Sequence, residues 1–357
     1  MANFVGKTTE LDYIEKPKID LKDRKIVSVM SKNARLMPTQ IGKIVGLSKE
    51  VVHYRIKNLE KNGIIREYIA VINPAKLGMQ IFIVYLQVQN LSEAKETQLI
   101  NKLIAHPATH YITHCLGKYD IAFDIISASI KEFDALLGYL LKEFGQHIKH
   151  YEISQIVDVL KYVHLTESFS NNLSLNSIKY IDDSSFVKHL QHLKIDYNQS
   201  EVNLDEKDLQ LLYFLSNNST LQLKQLATNL NISSDTIKYR IKKLINQNLI
   251  LGFLPIINIS MLGYHTYGIL IQLNHLAFQE KDKILRHLAM HPDVFFCLKT
   301  AGQYDITLNV SIRNNLHLYR FINDLKQRFP EQIKTIEMFL VIKDYKIAFL
   351  PNMQGKK

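Results

Sequence analysis

Displaced by 185 positions, the 357-residue sequence matches itself. Tyr54-Arg55-Ile56-Lys57 falls on Tyr239-Arg240-Ile241-Lys242, Asp20 and Asp23 on Asp205 and Asp208, and Ser48 on Ser233. The same offset carries Leu77-Gly78 onto Leu262-Gly263, His106-Pro107 onto His291-Pro292, and Gly117 onto Gly302. It still holds at Tyr119-Asp120-Ile121 and Tyr304-Asp305-Ile306, and at Lys161 and Lys346. One ungapped register kept from Asp20 to Lys161 marks a tandem duplication, so whatever one unit becomes, the chain builds twice. The units run over residues 20–162 and 205–347. Residues 163–203, polar and rich in Asn and Ser, read as a linker in which Phe186 to Ile195 forms a short helix, and residues 1–19 as a loose arm.

Each unit has two halves of different texture. In residues 20–66 apolar residues recur at helical spacing over Leu21–Met30 and again over Ile41–Val45. Gly46-Leu47-Ser48 then closes one helix and caps the next. The third helix runs from Lys49 to Asn62, with Val52, Ile56 and Leu59 on one buried stripe. Gly63 ends it, and Ile64–Ile72 reads as a short β-ribbon. Helix, helix, tight turn, capped helix and ribbon make a winged helix-turn-helix over residues 20–74, repeated over 204–259. In residues 79–162 the order becomes strand (Ile81–Val88), helix (Glu93–Ala105), strand (Thr109–Leu116), strand (Tyr119–Ser127), helix (Lys131–Phe144), strand (Ile148–Leu160). That is βαββαβ, the ferredoxin-like pattern, repeated over 264–350. The fold class is therefore α+β. Helices cover one face of each sheet, so the alternating Ile81, Ile83 and Tyr85 on the other predict face-to-face pairing with a second sheet.

Charge says where to look for a partner. Lys and Arg outnumber Asp and Glu 44 to 34, and residues 20–66 alone hold 11 basic and 4 acidic side chains. On the third helix, the face opposite the apolar stripe carries Lys49, His53, Tyr54, Lys57 and Lys61. A capped helix start with polar side chains around it suits a major groove, so double-stranded DNA is the expected partner. No apolar run reaches the ~18–20 residues of a membrane span, and the first residues lack the build of a signal peptide. Two cysteines, Cys115 and Cys297, make neither a disulfide framework nor a four-cysteine metal site, so a reducing cytoplasm is expected.

Asp23, Asn33-Ala34-Arg35, Gly46-Leu47-Ser48, Arg55-Ile56, Leu59-Glu60 and Gly63-Ile64-Ile65 stand in an ordered string. Tyr68-Ile69-Ala70-Val71-Ile72-Asn73-Pro74, Leu77-Gly78 and Gly117-Lys118-Tyr119-Asp120 continue it. In this combination the first unit resembles the Lrp/AsnC (feast/famine) family of transcription regulators along its whole length. The resemblance implies a DNA-binding domain joined to a ligand-sensing ferredoxin-like domain, sheets that pair on dimerisation, and an amino acid or other small metabolite as effector, with no cofactor. The second unit keeps Ser233, Tyr239-Arg240-Ile241 and Gly302-Gln303-Tyr304-Asp305. It departs at Asn248 in place of Gly63, and its residues 205–251 carry only 6 basic against 4 acidic side chains.

Candidate DNA contacts follow from position on the third helix. Lys49, Glu50, His53 and Tyr54 lie where base edges would be met, and Lys57 and Lys61 where phosphates would be. Arg55 either clamps a phosphate or ties the helix-turn-helix internally. In the second unit the equivalent positions are Ser234, Asp235, Lys238, Tyr239 and Arg240, with Lys242 and Lys243 for phosphates. Gly117, Tyr119 and Asp120, like Gly302, Tyr304 and Asp305, fall on the tight turn between central strands. They serve either that turn or, as the resemblance implies, the border of the effector site. His110 and His114 fall on one strand face, and His189 and His192 on one helix face, but no carboxylate or cysteine spacing completes a metal site.

Two other classes share this architecture. Sirohaem decarboxylases resemble tandem Lrp-like proteins and need His and Arg around a sheet-lined tetrapyrrole pocket, whereas residues 79–162 contain no arginine. A DNA-free metabolite sensor or assembly protein would keep both helix-turn-helix domains as relics. A linker of ~40 residues has a root-mean-square span near ~35 Å, which lets the sensing domains pair within one chain as a pseudo-dimer or between chains as a homo-oligomer.

Overall fold

A computed structural model of the chain describes residues 9–10, 17–170, 173, 195–196, 202–274 and 279–347. Residues 9–10 form a short strand, β1 (Thr9–Glu10), within the segment read as a loose arm. The first head is α1 (Leu21–Met30), α2 (Pro38–Val45), α3 (Lys49–Lys61) and β2 (Ile65–Ile72). After a 3-10 turn at Pro74–Leu77, the first sensing domain follows as β3 (Gln80–Val88), α4 (Glu93–Ala105), β4 (Thr109–Gly117), β5 (Ile121–Ser127), α5 (Ile130–Phe144) and β6 (Ile148–Tyr162). Between the units lie α6 (Glu167–Ser170) and β7 (Ile195–Asp196). The second head is α7 (Glu206–Asn217), α8 (Leu223–Leu230), α9 (Ser234–Asn246) and β8 (Ile250–Ile257). The second sensing domain is β9 (His265–Leu273), α10 (Lys281–Met290), β10 (Val294–Gly302), β11 (Ile306–Ile312), α11 (Asn315–Arg328) and β12 (Ile333–Ile347). The expected helix at Phe186 to Ile195, and His189 and His192 with it, lies outside the described residues except for Ile195, which is in β7.

The two sensing sheets face each other, as the alternation of Ile81, Ile83 and Tyr85 predicts, and they are also joined along both edges. Their strand orders are β4-β5-β3-β6 and β10-β11-β9-β12, all antiparallel, with β6 paired to β10 and β12 to β4. Eight strands thus close into a ring. Length is what closes it: β6 and β12 each run 15 residues, against seven to nine in the other strands of the ring. Residues 148–155 of β6 pair with β3, and residues 154–162 with β10 of the other unit. Strand β12 divides itself between β9 and β4 in the same way. Closure removes the open edges that a lone four-stranded sheet would present. Helices α4 and α5 pack outside one half and α10 and α11 outside the other, while Ile81, Ile83, Tyr85, Tyr119, Tyr304 and Phe339 fill the interior.

A buried lysine, Lys161, and its half-buried repeat counterpart, Lys346, lock the halves reciprocally. Lys161, in β6, donates to the carbonyl of His291 (3.0 Å), at the end of α10. Its repeat counterpart Lys346, in β12, donates to the carbonyls of Ile104 (2.9 Å) and His106 (3.0 Å), at the end of α4. Each ammonium meets C-terminal carbonyls at the negative end of a helix dipole in the other unit. Burial pushes the Lys346 ammonium pKa down to about 8.

The heads are joined as well. The sequence predicts a short β-ribbon over Ile64–Ile72; the structure has a single strand there, and its antiparallel partner is β8 of the second head, from Ile65↔Ile257 to Ile72↔Ile250 with an irregularity near each end. No glycine, proline or asparagine inside 64–72 offers a hairpin turn, so the backbone groups of β2 find their partners across the pseudo-twofold. The cores mix accordingly. Ala70 and Ile72 pack among the helices of the second head, and Ile257 and Leu262 among those of the first. The start of the expected linker also joins the first head, where Leu165 and Phe169 are buried.

Candidate nucleic-acid interface and interior cavity

Each reading helix is held by the same local devices. Gly46 (φ 72°) stops α2 in the left-handed region, and Asn231 (φ 52°) does so for α8. Ser48 caps α3 by accepting from the Val51 amide (3.3 Å), and Ser233 caps α9 from Thr236 (3.0 Å). Val52, Ile56 and Leu59 bury one face of α3; Ile237, Ile241, Leu244 and Ile245 bury that of α9. The opposite faces are open, with Tyr54 66% and Tyr239 69% exposed. Lys49, Glu50, His53, Lys57 and Lys61 surround the first tyrosine, and Ser234, Asp235, Lys238 and Lys242 the second, all exposed. At the head of α3, the Glu50 carboxyl is held below its usual range by its own backbone amide and the Ser48 hydroxyl.

The remaining candidates point inward. Arg55 donates to Asp20 and Asp23, both at 2.8 Å, which ties α3 to the start of α1. Arg240 repeats this with Asp205 and Asp208, and Lys243 adds a contact to Asp208 at 3.2 Å. The Arg55 alternatives are thus divided by geometry, with the internal tie occupied in both heads. Lys57 is paired with Glu60 at 2.7 Å. Among the described residues, Lys49, Lys61, Lys238 and Lys242 carry no ion pair. Arg35 was not singled out among the sequence candidates. Its guanidinium donates to the carbonyls of Ser219 (2.5 Å) and Leu221 (3.4 Å) in the other head and covers the Phe253 ring at 5.2 Å. Its signals in the sequence are its place in the Asn33-Ala34-Arg35 string and its basic charge in the short α1–α2 connection.

The Gly-x-Tyr-Asp hairpins stand where each long strand changes partner. Gly117 (φ 130°) faces Phe339 and Gly302 (φ 142°) faces Ser154. A Cβ on Gly302 would lie 2.3 Å from the Ile153 carbonyl oxygen, and one on Gly117 3.0 Å from that of Met338. Tyr119 and Tyr304 are buried and meet each other, hydroxyl to hydroxyl, at 2.6 Å across the pseudo-twofold. Asp120 accepts from the Val88 amide (2.7 Å), and Asp305 from the Leu273 amide (2.8 Å) and the Lys281 ammonium (3.0 Å). The two glycines and the two tyrosines join the units, while each aspartate ties its hairpin to a strand of its own unit.

Inside the ring lies a cavity of about 200 Å³, roofed by Val71, Ile72 and Ile256 of the paired head strands. The strict alternation expected of β4 breaks at His110, where the register to β5 shifts between Thr109 and Tyr111. A bulge re-aims the side chain. His110 therefore turns into the cavity toward Asp124 (3.7 Å), while His114 turns out toward Glu96 (3.4 Å), so the two share no face. His164 lines the same cavity, and burial pulls its pKa down to about 4. Among the described residues no three His, Cys, Asp or Glu side chains gather as a metal site, and no helix is long and apolar enough to cross a membrane.

Comparison with known proteins agrees with this geometry. The family model for a winged helix-turn-helix DNA-binding domain matches residues 19–66 and 204–250, and that for the Lrp/AsnC ligand-binding domain matches residues 267–350. The regulator LrpA of Pyrococcus abyssi is 33% identical over 127 residues, covering 33% of this chain and 90% of that protein. The proline dehydrogenase transcriptional activator of Rhodobacter capsulatus is 31% identical over 122 residues, covering 34% and 79%. The siroheme decarboxylase NirDL shares the fold along 93% of this chain and 94% of its own, with a TM-score of 0.59 and 11% identity. The chain belongs to the Lrp/AsnC family of helix-turn-helix regulators, with the unit present twice.

Proposed function

We propose that this protein is a transcription regulator that reads double-stranded DNA, in a reducing cytoplasm, with two unlike heads. The observation that carries it is the pair of open reading faces on α3 and α9, held in one fixed relation by the β2–β8 strands. Lys49 and His53 in one head stand where Ser234 and Lys238 stand in the other, so an asymmetric site suits the chain better than a palindrome. Base reading falls to the exposed first turns of each helix, phosphate contact to Lys61 and Lys242. Arg55, Arg240 and Lys243 serve by holding each helix rather than by touching DNA. The relatives' names supply the regulatory role, and the resemblance supplies a small metabolite, such as an amino acid, as modulator.

The enzyme reading rests on likeness of fold to a siroheme decarboxylase. Among the described residues, the cavity that would receive a carboxylate-bearing tetrapyrrole is lined by Asp124 and Asp344 and by no Lys or Arg, which disfavours an anion there. The relatives' names, which are those of transcription regulators, support a non-enzymatic role. A gel shift on genomic fragments across a salt series tests the whole proposal. Specific complexes whose affinity falls steeply with salt are expected. If no fragment is retained at low salt, the chain is a DNA-free sensor.

A further inference from the structure

The cavity inside the ring is not the hairpin site that family resemblance suggests, and its lining has a chemistry of its own. On β5 the inward positions are Ala122, Asp124 and Ile126, so a carboxylate interrupts an otherwise apolar row. Its counterpart in the second unit is neutral Asn309, also on the cavity wall. The backbone of Asp124 is paired within the sheet, but among the described residues its carboxylate accepts no hydrogen bond; the His110 ring stands 3.7 Å away, and Tyr85 and Tyr162 lie near enough to feel its charge. Asp344, by contrast, is engaged by the Tyr111 hydroxyl at 2.5 Å. Around them stand the rings of Tyr85, Tyr111, Tyr162 and Phe296. A half-buried carboxylate in an apolar wall is better served where a cation or donor meets it, and aromatic faces attract cations as well.

We infer that the ring cavity is a binding site for a small hydrophobic amine, its ammonium on Asp124 and its ring or branched body among the tyrosines. The volume limits the size. A cavity of ~150 Å³ takes a benzene-sized molecule, so about 200 Å³ takes one substituted ring. The charge limits the class. A zwitterionic amino acid would bring its carboxylate to a wall that holds, among the described residues, two carboxylates and no Lys or Arg. The inference does not depend on DNA binding.

The test uses the full-length chain and three probes sharing one ring: phenethylamine, phenylalanine and phenylacetate. Calorimetric titration is expected to give saturable one-to-one binding of phenethylamine and at least about tenfold weaker binding of the other two, as one charge-assisted contact is gained and not opposed. Asp124→Asn, which copies the second unit's own Asn309, should weaken the amine about tenfold and leave neutral phenethyl alcohol unchanged. Ala122→Phe, which fills the space beside Asp124, should abolish both; circular dichroism confirms that each variant folds. Equal binding of phenethylamine and phenylalanine, an amine affinity indifferent to Asp124→Asn, or no saturable amine binding at millimolar concentration overturns the assignment.

Discussion

The contact between Tyr119 and Tyr304 allows the joining of the two units to be measured. Their hydroxyls sit 2.6 Å apart, both side chains buried, and neither makes another hydrogen bond to a described residue. Removing one hydroxyl strands the other in a dry site, which costs ~1–3 kcal/mol; removing both leaves two phenylalanines and no orphan. Tyr119→Phe and Tyr304→Phe should therefore each destabilise the ring by that amount. The double variant should lie within about 1 kcal/mol of the parent, a coupling of ~1–3 kcal/mol or more. The chain has no tryptophan and 18 tyrosines, so urea unfolding is followed by circular dichroism rather than indole emission. Midpoints are compared at equal slope. If the two losses simply add, the hydroxyls do not bond across the pseudo-twofold, and the hairpin tyrosines are not a joining element.

Gly302→Ala puts a methyl 2.3 Å from the Ile153 carbonyl at a φ of 142°, whereas Gly263→Ala, at φ 88°, meets nothing within 4 Å. The first should cost more than ~2 kcal/mol and the second only the ~1 kcal/mol of an unfavourable backbone region, read from melting temperatures. In gel shifts, Lys61→Ala should weaken all sequences alike and lower the salt slope by ~0.9. Lys57→Ala should do less, because Glu60 already holds that ammonium; the reverse order would count against the assigned phosphate contacts. Deleting residues 205–251 is a poor test of the second head, since it removes Ile250 and Leu251 of β8 and the helices around Ala70; Lys238→Ala with Tyr239→Ala should instead relax one half-site, as selection from random DNA would show. For His164, the folded protein gives up the proton near pH 4 and the unfolded chain near 6.5, so folding binds fewer protons between these values. Its stabilising share is complete above pH 6.5 and is lost as pH falls toward 4, at most ~3 kcal/mol; His164→Phe should flatten urea stability across that window.

Helices and strands were legible because their signals are local. Leu21–Met30, Glu93–Ala105 and the caps at Ser48 and Ser233 stand where periodicity and capping put them. What escaped is what depends on the other copy. Nothing in Ile64–Ile72 says that its partner is 185 residues away, and nothing in the length of β6 says that half of it belongs to β10. Tyr119 looks the same in sequence whether it faces a metabolite or its own repeat. Arg55 was ambiguous for a like reason, since an arginine on a reading helix serves phosphate and carboxylate equally until Asp20 and Asp23 are placed in space. His110 was misplaced by one bulge, which alternation cannot foresee.

Covalent fusion also changes the arithmetic of expression. A regulator assembled from separate subunits falls apart when its copy number drops below its dissociation constant, and related subunits made in the same cell can enter its pairs. Here the partner strand for β2 is always on the same polypeptide, so the second binding surface is supplied at an effective concentration that dilution cannot reduce. A few molecules per cell suffice to present both reading helices. Because the two copies of the unit are encoded separately, substitutions at Asp235 or Lys238 can accumulate without being mirrored at Glu50 or His53. Under the two-headed reading proposed above, the gene tunes one half-site at a time, which a regulator encoded once and used twice cannot do.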